Sequence, residues 1–199
     1  MERAIANTRQ NVIAQAPIPR TMRYNPIRVW NEAKKIDEWD DTNPGDDNGT
    51  SVNAGYAVVR REGMQRVTSI SIIDGIVVPK TGTYKPDLAA GIVANRWATT
   101  VDELRWSIKN AAPGTIGINW YNNFDNPVQD STGQWWIGRG NLGSLRGGHC
   151  TAIYGASDTK QAFKMKNSWG LDYPQVWIPY TVMQRLINEY GEIAIVTDK

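Results

Sequence analysis

Ile27, Trp30, Ala33 and Ile36 recur at helical spacing, with Lys34 and Lys35 on the other side, and predict an amphipathic helix. An earlier helix over 2–16 carries Ala4, Ile5, Val12 and Ile13 and is stopped by Pro17 and Pro19, since proline lacks the amide donor a helix needs. The stretch 18–26 between them reads as extended. Residues 40–49, with Asn43-Pro44-Gly45 among aspartates, read as a polar loop. Thr50-Ser51 then offers a hydroxyl cap for a third helix, which would turn Val52, Tyr56 and Val59 inward and stop at Gly63.

The pattern changes after that. From Val67 to Ala98 the chain is rich in β-branched residues and interrupted by Gly75, Pro79, Gly82 and Pro86, which predicts short strands and an irregular connection. Thr99 to Glu103 places hydroxyls before an acidic first turn, and Leu104, Ile108 and Ala111 continue a fourth helix to Pro113-Gly114. Strands are predicted over 115–121, 151–155, 162–167 and 193–196, with a late helix over about 180–190. Helices first and sheet afterwards imply an α+β chain, with a mainly helical part over 1–112 and a β-rich part over 113–199 closing into one compact unit.

Composition narrows the function. The 199 residues carry a formal net charge of +2, with one His, one Cys and nine Trp, enough chain for a real core. A single cysteine forms no internal disulfide, and one His with one Cys is too little for a zinc site of those ligands. The acidic stretch 37–47 lacks the ligand order and glycine of an EF-hand, so it reads as solvated loop; no metal or cofactor is expected. Lys and Arg are scattered, so a nucleic-acid footprint is missing. No apolar run of membrane-spanning length and no charged-then-apolar leader appears, so neither membrane nor secretion is expected.

Two short motifs carry the chemistry. Gly147-Gly148-His149-Cys150-Thr151-Ala152-Ile153-Tyr154-Gly155 reads as a turn into a strand, and Asn167-Ser168-Trp169-Gly170 follows twelve residues later. In this order, with a short helix and closing strand behind, they resemble the second half of a papain-like cysteine peptidase. The upstream Gly49-Thr50-Ser51-Val52 helix and the Val101-Asp102-Glu103-Leu104 helix resemble connecting elements of bacterial and phage-borne members. The resemblance implies a two-lobed fold with a helical N-terminal part and an antiparallel sheet or barrel behind. It gives His149 the place of the general base, Asn167 that of the residue orienting its ring, and Trp169 that of the shield over their hydrogen bond.

The same resemblance calls for a cysteine nucleophile at a helix N-terminus, preceded by a glutamine, both upstream of the histidine. No cysteine precedes Cys150. Cys150 follows His149 directly, and consecutive side chains of a strand point to opposite faces, so it is rejected as nucleophile. Ser51 is the other candidate, because a helix N-terminus favours negative charge; its alternative role is plain N-capping. His149 beside Asn167 is either a catalytic pair or a satisfied core pair. Trp30, Trp106 and Trp120 are expected in the core, while Trp135-Trp136, in a glycine-rich stretch, are either core plugs or a partner contact.

The expected function is a non-catalytic papain-like structural or interaction subunit. By resemblance it would belong to a bacteriophage virion, tail or capsid-associated, with other virion proteins as partners and the host cytoplasm as the other location. The alternative is an active hydrolase, a peptidase or cell-wall amidase, using His149 and Asn167 with an unrecognised nucleophile such as Ser51.

Overall fold

A computed structural model describes residues 24, 26–39, 49–65, 69–73, 76–80, 88–169 and 172–198. The expected helix over 2–16 and most of the acidic loop lie outside them. By their contacts the described residues divide into two units, one up to Asn95 and the other over 96–196.

In the first unit, α1 (Pro26–Ala33) and α2 (Val52–Glu62) pack through Ala33, Ala54 and Val58. Ser51 caps α2 in extended conformation, its Oγ accepting from the Ala54 amide at 3.1 Å. Gly63 ends the helix at φ 72°, a conformation that costs glycine least. Tyr56 and Val59 are fully buried, as the periodicity requires, and Arg28 pairs with Glu62. The first helix differs from expectation. It ends at Ala33, its buried positions are Val29 and Ala33, and Trp30 and Ile36 are exposed. With barely two turns to bury, either of two adjacent faces satisfies the periodicity, and Lys34 packs its ammonium 5.8 Å from the exposed Trp30 ring. The segment 69–80 holds a hairpin of β1 (Ser69–Ile73) and β2 (Ile76–Lys80), followed by β3 (Ile92–Trp97).

The second unit holds the main sheet. Its elements are α3 (Val101–Asn110), β4 (Gly114–Tyr121), β5 (Val128–Gln129), β6 (Trp135–Trp136), β7 (Leu145–Ser157), β8 (Ala162–Lys166), β9 (Val176–Pro179), α4 (Tyr180–Asn188) and β10 (Glu192–Asp198). Their strands lie in the order β10-β4-β7-β8-β9-β6-β5. Neighbours are antiparallel except β6 with β9, which are parallel. The mixed α+β class is as expected.

Local chemistry explains the helices. Thr100 Oγ1 accepts from the Glu103 amide at 3.2 Å, while Glu103 reaches back to the Thr99 amide at 2.7 Å, so the hydroxyl-acid pattern caps α3. Leu104 and Ser107 are buried under α3, whereas Ala111 is exposed and Trp106, expected in the core, stands 56% exposed with the Arg96 guanidinium 5.1 Å from its ring. α4 buries Tyr180, Met183 and Leu186. Gln184 of α4 accepts the Val101 amide at 3.0 Å, tying the start of α3 to α4. β7 begins at Leu145, so Gly147 and Gly148, expected in a turn, lie inside the strand opposite Trp120 and Asn119 of β4.

The core of this unit is built from Ile116, Phe124, Ile153, Phe163, Met165 and Ile178, all fully buried. Phe163→Ala removes a ring from the middle of β8 and is expected to cost ~3–5 kcal/mol in urea unfolding, whereas Trp106→Ala should cost under ~1 kcal/mol. A large loss from the Trp106 change alone would show that the exposed indole is structural.

Candidate functional site

His149 and Asn167 reach each other through sheet register. His149 pairs with Ile118 of β4 in the middle of β7, and Ala152 of β7 pairs with Lys166, the last residue of β8. Asn167 therefore leaves β8 alongside the residues that follow His149. The His149 Nε2 to Asn167 Oδ1 distance is 2.8 Å.

A second hydrogen bond fixes the chemistry of the first. The Ser168 backbone amide, which can only donate, points at the same Asn167 Oδ1 at 2.7 Å, so that atom is the acceptor. Nε2 must then carry the ring proton, and Nδ1 is left as the basic nitrogen, with no hydrogen-bond partner among the described residues. Asn167 is 5% exposed and His149 half-buried.

An aromatic wall surrounds the imidazole. The buried Trp120 ring meets it edge to face at 4.7 Å, and Trp169 lies 4.9 Å away, tilted by 39°. Trp120 and Trp169 touch each other at 5.3 Å, and Tyr173 packs on Trp169 at the same distance. Trp169 is 42% exposed, so the position assigned to a shield is open to solvent on one side. Trp120 is anchored by donating Nε1–H to Asp125 Oδ1 at 2.8 Å, and Asp125 also pairs with Arg146. Tyr173 donates its hydroxyl to the Phe124 carbonyl at 2.7 Å, and burial pushes its pKa above the usual phenol value.

Burial also decides the charge of His149. Desolvation lowers its pKa from the ordinary 6.5, outweighing the Asn167 hydrogen bond and the field of Asp125, which act the other way; Arg146 adds to the lowering. The resting ring is a neutral base.

The remaining candidates lie elsewhere. Cys150 is an exposed free thiol next to His149 on β7, on the opposite face by strand alternation. Ser51 is 5% exposed; besides capping α2 it donates Oγ–H to Glu38 Oε2 at 3.3 Å. Trp135 and Trp136 form the short strand β6, where Trp136 is 5% exposed and Trp135 is 37% exposed, so the two indoles divide between core and surface. Among the described residues no group of His, Cys, Asp or Glu is arranged to hold a metal, and no helix is long and apolar enough to cross a membrane.

Sequence reasoning missed Asp125, Arg146 and Tyr173, and it read Trp120 only as core. A signal for Trp120 was available: it lies two residues beyond Ile118 on β4, and alternation places both on one face. Asp125, Arg146 and Tyr173 lie outside both motifs, and nothing in their spacing marks them.

No family model and no curated protein sequence matches the chain. Solved structures do. Xylellain, a cysteine protease from Xylella fastidiosa, superposes with a TM-score of 0.68 at 17% identity, covering 100% of this chain and 77% of that one. The bromelain protease from Ananas comosus, in complex with the E64 inhibitor, gives a TM-score of 0.49 at 13% identity over 76% of this chain and 71% of its own. On the xylellain superposition the fold is papain-like, the architecture of cysteine proteases, carried by a chain whose one thiol follows its histidine.

Proposed function

We propose that this papain-like chain does not hydrolyse peptides and works as an interaction subunit, with a bacteriophage virion as its assembly and other virion proteins as partners. The observation that carries the first half is the neutral residue behind His149. A thiol, with its pKa near ~8.5, surrenders its proton to an imidazole that only needs orienting, and an asparagine is enough for that. A hydroxyl holds its proton far more tightly, so the imidazolium formed in taking it must be stabilised by a carboxylate. Replacing that carboxylate by an amide in a Ser-His-Asp triad costs about 10⁴ in rate.

Asn167 supplies geometry without charge, and burial further disfavours the imidazolium. The pair is thus matched to a thiol, and the chain's thiol, at Cys150, stands on the face of β7 away from the ring. Ser51, the hydroxyl alternative, has a structural task at the start of α2, and its proton is directed to Glu38. Capping of this kind is worth ~1 kcal/mol, enough to account for a hydroxyl there without catalysis. The virion assignment rests on the resemblance of the Gly49–Val52 and Val101–Leu104 segments to phage-borne relatives.

Incubation with a fluorogenic peptide is expected to give no turnover above that of His149→Ala, and a thiol-directed inhibitor should label Cys150 at a rate independent of His149. Turnover that disappears in Ser51→Ala and survives Cys150→Ala would overturn the reading in favour of a serine hydrolase.

The half-buried histidine also sets a pH dependence. Its folded pKa lies below the unfolded value of 6.5, so the unfolded chain binds more protons in that window, and stability rises with pH through it. Urea midpoints should therefore fall as pH drops below about 6.5, and His149→Gln, which keeps a donor for Asn167, should fall less. Equal slopes for the two proteins would mean that the histidine is not desolvated.

A further inference from the structure

A second chemically distinct surface lies on the outer strands of the same sheet. Lys164 of β8 and Trp177 of β9 are register partners, so their side chains share a face. The Lys164 ammonium sits 4.9 Å from the Trp177 ring centre, and Lys160, from the turn between β7 and β8, sits 5.6 Å from the same ring. Trp136 of β6, itself buried, pairs with Trp177 at 6.3 Å between rings and carries the Arg139 guanidinium 3.3 Å from its own centre.

Two like charges over one indole call for a counter-charge, and the described residues supply none. Neither lysine has a carboxylate within ion-pair distance among the described residues. Lys164 donates only to the Gln175 carbonyl, at 3.1 Å, and both its burial and the charge of Lys160 lower its pKa. Nearby acids are already committed. Asp158, two residues before Lys160, is paired with Lys109 and Arg105. Asp130 accepts from Thr132, Gln134 and Trp136 and lies 3.8 Å from Arg139, bonds that hold its pKa far below the usual range.

We infer that Lys160, Lys164 and Trp177 form a docking surface for an acidic segment of a partner protein, whose carboxylates meet the two ammonium groups held over the indole. A nucleic-acid strand carries a charge at every step, whereas side-chain carboxylates are placed one at a time and match two ammonium groups held over a single ring. The Trp177 edge is used, its Nε1–H going to Gln134 Oε1 at 2.9 Å, and its face carries the two ammonium groups, so recognition of the partner falls to charge.

The inference rests on the interaction-subunit reading for its partner but not for its chemistry. Binding of a dye-labelled decaglutamate peptide, followed by fluorescence anisotropy at low salt, tests it. The wild-type chain is expected to bind, with affinity falling as salt rises. K160E/K164E should weaken binding about tenfold or more, with K35E, on the first unit, unchanged. Lys160→Gln, at an exposed turn position, should weaken binding several-fold and serves if the double variant fails to fold.

No binding by the wild type, or equal weakening by K35E, overturns the surface. Tighter binding of an oligonucleotide of equal charge overturns the choice of partner. Peptide turnover would overturn the non-hydrolytic reading and leave this result untouched.

Discussion

The hydrogen bond from His149 Nε2 to Asn167 Oδ1 organises the centre of the second unit. It spans two strands, and it exists because β7 pairs with β8 in a register that brings the end of one beside the middle of the other. A slip of one residue would turn His149 to the opposite face and break its contact with Trp120 together with the hydrogen bond. The Ser168 amide then fixes which amide atom faces the ring, and the ring's tautomer follows from that. Sheet register, side-chain geometry and proton position thus form one chain of cause.

What the pair can do follows from charge. A neutral partner and a half-buried position both favour neutral imidazole, so the site holds a well-oriented base of lowered basicity. Such a base serves an acidic nucleophile and serves a hydroxyl poorly. The fold of cysteine proteases is retained while the thiol that suits this base has no place on its face of β7, and this mismatch underlies the proposed loss of hydrolysis. Around Trp177, two ammonium groups without a carboxylate partner among the described residues rest on an aromatic support, and the inferred docking surface is built on them.

Much of this was legible in the sequence wherever a residue type carries its own local geometry. The cap at Ser51, the glycine stop at Gly63, the reciprocal cap of Thr100 and Glu103, and the order of His149, Asn167 and Trp169 all depend on neighbours a few residues away or on a strand pair. The tryptophans were not legible in the same way. Trp30, at a position that periodicity assigns inward, and Trp106, expected in the core as a large aromatic on a helix, are both exposed with a cation near their rings. A short helix allows two faces, and a neighbouring Lys or Arg makes the outward one acceptable. Asp125 and Arg146 stand 21 residues apart and meet only because β4 and β7 pair along their length, which no local pattern announces.

The central claim is that His149 is a half-buried neutral base whose proton sits on Nε2 because Asn167 accepts it. As the chain's single histidine, it can be followed without ambiguity by nitrogen-detected NMR of ¹⁵N-labelled protein. The account predicts one imidazole with the Nε2–H tautomer at neutral pH, a titration midpoint below 6.5, and a rise of that midpoint in Asn167→Asp, where a carboxylate replaces the amide. An Nδ1–H tautomer, or a wild-type midpoint above 6.5, would contradict it.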